Sequence, residues 1–388
     1  MALFDDASLV VTPNGYKAGT LYSIKPTSGA GDMTVVRATT ATRVNSAGLI
    51  ESVANNVPRL DYSNGTCPSL FVEPQRTNVL TQSEGVLSTY GLFDNVTNAS
   101  SSFNSFLNAI QIPISGLSYS YKGATLTLSQ IYTLSFFVKM DDNSAPVLTA
   151  SSSTGNFNLV GENNGIVTDN LQVISIGNNV YRVSGTLTGT GNSNNFGMVR
   201  FTTQVLKTFK MSAIQLELGS YPTSYIPTTS AAVTRNADVL TRAGFGNAST
   251  SGTLFFDLYA EKIESPNGQY ILQLFAGSSI GGASFSDANG LSIIGNGTAI
   301  QIFNNAYTQQ VQTLTPTAGQ RVKLAIRYNG TNVSSAINGT LSNVFADTAV
   351  GVKNALRINN GENGTQAFNV VCFFPSYLTD AELISLTT

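Results

Sequence analysis

Apolar and polar residues alternate along several stretches of this chain, and this period of two constrains the fold more than any other feature. In "TLFFDLYAEKI", Leu254, Phe256 and Leu258 fall on one face of a strand, while Asp257 and Glu261 fall on the other. The stretch "RVKLAIRYNG" alternates in the same way. Because successive side chains of a β-strand point to opposite sides, this pattern predicts half-buried antiparallel strands.

Turn and cap signals separate the predicted strands. Asn-Gly pairs begin at Asn64, Asn329 and Asn338, and each pair predicts a tight hairpin turn, of type I′ at Asn329. The nearly continuous apolar run "FNVVCFF" predicts a deeply buried strand. Only the tail "LTDAELISL" has the pattern of a helix, and Thr379 and Glu382 have the spacing of a capping box at its start.

The predicted fold class is all-β: two antiparallel β-sandwiches, an irregular β-rich N-terminal leader and a short C-terminal helix. We place the leader at residues 1–85, the first sandwich at 86–235 and the second at 240–388. The segment "GSYPTSYIPTTSAAVTRNADVL" joins the sandwiches and has the composition of a linker. However, Pro222 and Pro227 bias the residues before them towards extended backbone. We therefore expect an ordered strap whose Tyr221, Tyr225 and Ile226 pack on a sandwich surface.

The amino-acid composition limits the kinds of partner that this chain can bind. Charged residues make up 11% of the 388 residues, against roughly 25% in ordinary soluble domains. The net charge is −2 and no basic run is present, so we expect no nucleic-acid partner. No apolar run is long enough to span a bilayer, so we expect no membrane insertion. The N-terminus lacks the basic and apolar regions of a signal peptide.

The chain has no histidine, which excludes Ser-His-Asp and Cys-His catalysis and imidazole metal sites. The two cysteines, Cys67 and Cys372, lie far apart, and we expect two buried free thiols. A glycosidase needs two facing carboxylates. The candidates carry no distinguishing motif, so we predict that the chain is not an enzyme; they are Asp141, Asp142, Glu162, Asp257, Glu261 and Glu264.

Three segments carry a resemblance to a known group of proteins. They are "TRVNSAGLIESVANNVPRLDY" with "CPSLFVEPQRTNVLTQSE", then "IQLELGSYPTSYIPTTSAAVTRNADV", and finally "FFPSYLTDAELISL". Together they resemble the tail-fibre, head-fibre and structural proteins of tailed bacteriophages. This resemblance implies a carbohydrate-binding-module-like jelly roll followed by a LamG or concanavalin-like sandwich. It also implies a homotrimer on the virion surface, assembled in the host bacterial cytoplasm, with capsid or tail components as partners.

Charged residues in these segments are candidates for folding and assembly. We expect Arg37, Arg43, Arg59, Arg76 and Arg235 to pair with Glu51, Asp61, Glu73 or Asp238, within the chain or between copies. Arg76 is the sharpest case, because Pro74 fixes the chain beside it and a guanidinium makes bidentate contacts. The full set of assembly candidates is Glu73, Pro74, Arg76, Tyr221, Pro222, Tyr225, Pro227, Arg235 and Asp238.

A sugar site combines an aromatic platform with amide side chains. In the second sandwich, Asn304, Asn305 and Tyr307 are the candidates, with the alternative that Tyr307 caps the core. No cofactor is expected. Fragments of a Ca²⁺ site are Asp287 with Asn289 and Glu362 with Asn363, but Ca²⁺ takes six to eight oxygen ligands, and ordinary turn residues are the alternative.

These observations predict a virion fibre or appendage that adheres to host-surface glycans through its sandwiches. Two alternatives remain open: a purely structural, adaptor or capsid-decoration component, and a polysaccharide depolymerase. Shortened host polysaccharide is the result expected only from the depolymerase.

Overall fold

A computed structural model describes residues 3–114, 116–243, 250–262, 269–275, 290–296, 299–304, 309–347, 352–359 and 364–388. About half of the chain is strand and about 6% is helix, which confirms the all-β fold class. The strands within these ranges, in chain order, are β1 (Leu9–Val11), β2 (Tyr16–Lys17), β3 (Thr20–Leu21), β4 (Thr34–Val36), β5 (Ala41–Val44), β6 (Ile50–Val53), β7 (Arg59–Asp61), β8 (Ser69–Val72), β9 (Arg76–Asn78), β10 (Leu92–Asp94), β11 (Thr97–Asn98), β12 (Ile110–Ile112), β13 (Ser118–Thr125), β14 (Ile131–Met140), β15 (Asn158–Val160), β16 (Asp169–Gly177), β17 (Val180–Thr188), β18 (Ser193–Arg200), β19 (Phe209–Leu218), β20 (Val233–Arg235), β21 (Val239–Ala243), β22 (Gly252–Lys262), β23 (Gln269–Phe275), β24 (Leu291–Asn296), β25 (Ala299–Asn304), β26 (Gln309–Leu314), β27 (Gln320–Tyr328), β28 (Asn332–Ile337), β29 (Thr340–Leu341), β30 (Phe345–Ala346), β31 (Ala355–Ile358) and β32 (Thr365–Phe374).

Helical structure is short. Helix α1 spans Asp380–Thr387, and single 3₁₀ turns occur at Leu3–Asp6, Pro13–Gly15, Leu87–Thr89 and Glu162–Asn164. The predicted capping box is present: Thr379 Oγ1 accepts from Glu382 N, and Glu382 Oε2 accepts from Thr379 N at 2.6 Å. None of the helices in the described ranges has the length and apolar character needed to cross a lipid bilayer.

The chain forms two compact units. Unit 1 contains Met1–Thr40, Val53–Gln75 and Asn236–Thr388, and unit 2 contains Ala41–Ser52 and Arg76–Arg235. Residues 1–85, which the sequence pattern assigns to a separate leader, are therefore divided between the two units. Their short strands contribute apolar side chains to larger sheets, which explains why they do not group as a third unit.

Unit 1 is a sandwich of two antiparallel sheets. The nine-stranded sheet has the order β29-β28-β27-β22-β32-β8-β7, with β1 also paired to β32 and β30 to β28. The seven-stranded sheet has the order β26-β25-β24-β23-β31-β21-β4. Alternate residues of both sheets, such as Leu254, Phe256, Leu272 and Leu356, fill the core between them.

The outer side of the nine-stranded sheet carries a second, smaller core. Phe255 and Cys372 lie on that side and pack with Leu383 of α1. The helix therefore covers part of the sheet face that the alternation in β22 assigned to solvent. Cys372 is buried as predicted, whereas Cys67 is exposed, so the expectation of two buried thiols was wrong for Cys67.

Unit 2 is a second sandwich. Its four-stranded sheet has the order β10-β13-β18-β15, and its six-stranded sheet has the order β11-β12-β19-β14-β17-β16. Leu134, Phe136, Phe157 and Met198 are among the residues that fill the core between them. Two short ladders, β5-β6 and β9-β20, complete the pairing in this unit.

The Asn-Gly pairs at Asn64, Asn329 and Asn338 behave differently from one another. Asn338 and Gly339 both have positive φ, and Ile337 pairs with Thr340, as a type I′ turn requires. At the second pair only Gly330 has positive φ, so the type I′ prediction was wrong there: Asn329 Oδ1 instead accepts from the amides of residues 331 and 332. At the first pair, Asp61 pairs with Ser69, so residues 62–68 form a long loop and the prediction of a tight hairpin turn at Asn64 was wrong.

Candidate functional site

Asn304, the described member of the predicted sugar site, is completely buried. It lies on β25 opposite Leu291, and that row of side chains faces the core of unit 1. Its Nδ2 donates to Ala346 O at 3.1 Å. The register therefore directs Asn304 away from any ligand that approaches from solvent, and the other two candidates, Asn305 and Tyr307, lie outside the described residues.

The predicted pairing of arginines with carboxylates is confirmed at three positions. Arg37 Nη1 bonds Asp238 Oδ1 at 2.6 Å, and Arg59 Nη1 bonds Glu73 Oε2 at 2.7 Å. Arg59 Nη2 also bonds Asp238. These four side chains are at most 2% exposed. The third position is on the surface, where Arg43 Nη2 bonds Glu51 Oε1 at 2.6 Å.

The buried cluster of Arg37, Arg59, Glu73 and Asp238 is a structural element of unit 1. Burial would lower the pKa of Arg59, but the charges of Asp238 and Glu73 outweigh it and raise that pKa. The main chain ties the acids together, because Asp238 N donates to Glu73 O at 3.0 Å. Pro74, which follows Glu73, is buried as well. Removing one member would leave a buried charge without its partner.

Arg76 and Arg235 lie directly opposite each other in the β9-β20 ladder of unit 2. The Arg76 guanidinium lies over the ring of Tyr221, 5.4 Å from its centroid. Arg235 Nη1 donates to Thr223 Oγ1 at 3.2 Å and to Ser224 Oγ at 2.9 Å. Both arginines thus fix residues 219–228, which we call the strap.

The strap is a packed element of unit 2, as its two prolines suggested. Tyr221, Tyr225 and Ile226 are each 3% exposed, whereas Pro222 is half-buried and Pro227 is exposed. Tyr225 packs edge-on against Phe106 and Phe137. Its hydroxyl shares a hydrogen bond with Ser83 Oγ at 2.5 Å.

The strap covers the outer face of the six-stranded sheet, which we call the covered face. Much of that face is polar: Thr133, Ser135, Gln215 and Glu217 have no measurable exposure, while Phe137 beside them packs against Tyr225. Glu217 accepts from Thr223 N at 2.8 Å and from Thr223 Oγ1 at 2.5 Å. Gln215 Oε1 accepts from Ile226 N at 2.7 Å, and Thr133 Oγ1 donates to Gly219 O at 2.8 Å. The chain's own backbone thus occupies a surface rich in hydrogen-bonding side chains.

The outer face of the four-stranded sheet, which we call the open face, is different. Tyr119 and Tyr121 alternate along β13 with Ser118, Ser120 and Lys122, which are buried towards the core. The two tyrosines are half-exposed, and their rings stack with centroids 5.1 Å apart and planes 15° apart. Burial, with the neighbouring Tyr119, raises the pKa of Tyr121 to about 12, so the Tyr121 hydroxyl stays a neutral donor at physiological pH.

The two glycines beside the tyrosine pair differ, and only Gly123 borders open space. Gly197 of β18 lies opposite Tyr121, and a Cβ there would meet the backbone oxygen of Ser120 at 2.0 Å, so glycine is required by close backbone approach and leaves no open space. Gly123, the next residue of β13 on this face, is exposed, and a Cβ there would touch nothing closer than 4.0 Å. Towards β15 the face is covered: the outward residues Val199, Asn158 and Val160 are at most 5% exposed, and Asn158 Nδ2 donates to Thr149 O at 2.6 Å.

Most of the carboxylates considered for catalysis have partners. Asp141 bonds Lys210 at 2.6 Å, Asp142 bonds Lys207 at 2.7 Å, and Asp257 bonds Arg321 at 2.5 Å. Glu162 accepts from Thr190 Oγ1 at 2.7 Å. Glu261 accepts from Asn64 Nδ2 at 2.6 Å, and burial raises its pKa. Glu264 lies outside the described residues.

In the part of the chain that the structure describes, no group of three or more Cys, Asp or Glu side chains is placed to hold a metal ion. The four residues named as Ca²⁺ fragments, Asp287, Asn289, Glu362 and Asn363, lie outside the described residues.

Sequence reasoning missed the tyrosine pair. The signal is present, since "SYSYKG" alternates a small polar residue with an aromatic one at a period of two. Without the fold, nothing distinguishes an aromatic row that faces a core from one that faces solvent. The burial of Ser118 and Ser120 is what assigns the tyrosines to the outside.

Comparison with known proteins gives weak likenesses. No protein-family model matches the chain, and no curated protein matches it. The binding domain of botulinum neurotoxin serotype D matches at 12% identity and TM-score 0.30, covering 38% of this chain and 39% of that domain. A carbohydrate esterase of the Shiga toxin-encoding bacteriophage phi24B matches at 15% identity and TM-score 0.28, covering 37% of this chain and 81% of the esterase. Domain 4 of the arabinanase AbnA from Geobacillus stearothermophilus, solved with arabinotriose, matches at 12% identity and TM-score 0.31, covering 44% of this chain and 84% of that domain. At such low scores these matches carry no inference about what this chain binds.

Proposed function

We propose that this chain is a non-catalytic glycan-binding appendage of a tailed-bacteriophage particle, and that the open face of unit 2 contacts the glycan. The observation that carries this proposal is the stacked, partly exposed Tyr119–Tyr121 pair beside the open position at Gly123. The proposed site thus lies in the first sandwich, whereas the sequence analysis placed its sugar-site candidates in the second.

The chemistry of the open face supports this proposal. The apolar face of a sugar ring packs on an aromatic ring, and sugar hydroxyls exchange hydrogen bonds with nearby polar groups. Because each tyrosine covers one face of the other, the pair is held rigid before a ligand arrives. Less conformational freedom is then lost on binding.

The virion setting rests on the three sequence segments that resemble phage fibre and structural proteins. In that setting the partners are other copies of the chain in a trimer and the capsid or tail components. The low charge suits such contacts, since few charged side chains must lose water when copies pack together. The ion pairs made by Asp141, Asp142 and Asp257 support a role without catalysis.

The test is binding of the full chain to an array of bacterial surface polysaccharides. We expect bound spots for the natural chain and for Tyr22→Ala, because Tyr22 is an exposed tyrosine of unit 1. The double variant Tyr119→Ala with Tyr121→Ala should lose them. Absence of binding by the natural chain would favour the structural or adaptor alternative, and shortened polysaccharide after incubation would favour the depolymerase.

A further inference from the structure

The open face continues well beyond the tyrosine pair. Along β13 and β18, Gly123 pairs with Asn195 and Thr125 pairs with Ser193. Gly123, Thr125 and Ser193 are exposed, and Asn195 is half-exposed. From Tyr119 to Thr125 the strand advances about 20 Å, at about 3.3 Å per residue. This surface is longer than a single sugar ring needs.

The far end of this surface carries fixed amide groups. Asn195 Nδ2 donates to Asn164 Oδ1 at 3.3 Å. The turn that holds Asn164 is itself anchored, because Asn163 N donates to Asn194 Oδ1 at 2.9 Å and Asn194 Nδ2 donates to Glu162. Amides held in this way are oriented to exchange hydrogen bonds with sugar hydroxyls without first losing freedom.

The charge on the open face selects against acidic sugars. Asp94, opposite Tyr119, is exposed and negatively charged. Among the described residues of the four strands, Lys122 points to the core side, and the outward rows contain neither Lys nor Arg. Carboxylated or sulfated sugars are normally held by such cations. A neutral sugar approaches this face without repulsion.

Resting on the proposed function, we infer that the open face takes a linear, neutral oligosaccharide of several units. One ring packs on the Tyr119–Tyr121 pair, and hydroxyls of more distant units bond Asn195 and Asn164. Affinity therefore depends on ligand length, and the amide end contributes only when the ligand is long enough to reach it.

The experiment uses an array of neutral oligosaccharides from one to six units, with carboxylated oligosaccharides of the same lengths beside them. The full chain is compared with Tyr121→Ala, Asn195→Ala and the milder Asn195→Ser. The control Asn55→Ala removes an exposed asparagine of unit 1 that likewise donates to a neighbouring oxygen. Circular dichroism melts check that each variant is folded.

We expect binding to neutral oligosaccharides that strengthens with length. Both Asn195 variants should weaken binding of the longest ligands about tenfold, the effect of about 1.4 kcal/mol, and leave the shortest bound ligands unchanged. Equal affinity at all lengths, a preference for carboxylated ligands, or no effect of either Asn195 variant would overturn this inference while glycan binding stands. Absence of all binding, or full binding by folded Tyr121→Ala, would overturn the proposed function itself.

Discussion

The two outer faces of the unit 2 sandwich differ in burial: one is covered by the strap, and the other keeps aromatic side chains partly exposed. The covered face buries Gln215 and Glu217 beneath the strap, with hydrogen bonds to its backbone. On the open face, Tyr119 and Tyr121 stay partly exposed. One face has therefore become part of the fold, and the other keeps exposed aromatic surface.

This contrast has an energetic basis. A polar sheet face is costly to bury unless each group finds a partner, and the strap supplies partners from its own main chain. Aromatic rings at a surface have no such requirement. Stability should therefore depend strongly on the covered face and weakly on the open face, which the following variants test.

The largest effect is expected for Glu217→Ala. The change leaves Thr223 N and Thr223 Oγ1 without their acceptor and removes the carboxylate 3.9 Å from Arg182 Nη2. We expect a loss of about 3–5 kcal/mol in the free energy of unfolding, measured by urea denaturation. The control Glu51→Ala breaks an ion pair at the surface and should cost under about 1 kcal/mol. Equal losses for the two variants would show that the strap is not held through Glu217.

A smaller effect is expected for Tyr225→Phe. The ring stays in its aromatic cluster, but the hydrogen bond with Ser83 Oγ at 2.5 Å is lost inside the protein. The expected cost is about 1.5 kcal/mol in the same denaturation measurement. Tyr181→Phe is the matched control, because its half-buried hydroxyl makes no hydrogen bond to the described residues. If both variants cost the same, the strap is held by ring packing alone.

Lys122 lies behind the open face and allows a pH test of how that strand is anchored. Its Nζ is 3.9 Å from the centroid of the Tyr90 ring and donates to Thr89 O at 3.2 Å. Burial lowers the pKa of Lys122 from 10.5 to about 8. Between pH 8 and pH 10.5, Lys122 is therefore protonated in the unfolded chain and deprotonated in the folded chain. The free energy of unfolding contributed by this group therefore rises with pH across that window.

The variant Lys122→Met removes the titrating group while keeping a long apolar side chain. We expect it to be more stable than the natural chain by about 1 kcal/mol at pH 7, since a buried charge is replaced by an apolar group. The difference between the two chains should shrink from pH 8 to pH 10.5. A difference that stays constant with pH would show that the amine is protonated equally in both states.

Local signals in the sequence were sufficient for part of this architecture. The capping box at Thr379 and the type I′ turn at Asn338 depend on residues within a few positions of each other, so the pattern alone identifies them. The ordered strap was predictable because each proline restricts the backbone of the residue before it to extended conformations. Pairing of β1 with β32 joins opposite ends of the chain, and no local pattern encodes it.

The candidate site shows the same limit more sharply. Asn304 was a reasonable sugar ligand by residue type, but a strand register that places it opposite Leu291 directs it into the core. A shift of one residue would have reversed its direction. Tyr119 and Tyr121 needed the opposite information, namely that their part of the sheet face stays partly exposed. Which side of a sheet is covered is a property of the whole fold.

The smallest effect on stability is expected for Tyr121→Ala, and it tests the contrast from the other side. An aromatic cross-strand or same-face pair is worth under about 1 kcal/mol relative to alanine, so folding should be nearly unchanged while glycan binding is lost. Thermal melts and array binding on the same preparation separate the two readouts. A loss as large as that of Glu217→Ala would mean that the tyrosines support the fold as the strap does. The open face would then be a second structural surface, and the glycan site would have to lie elsewhere in the molecule.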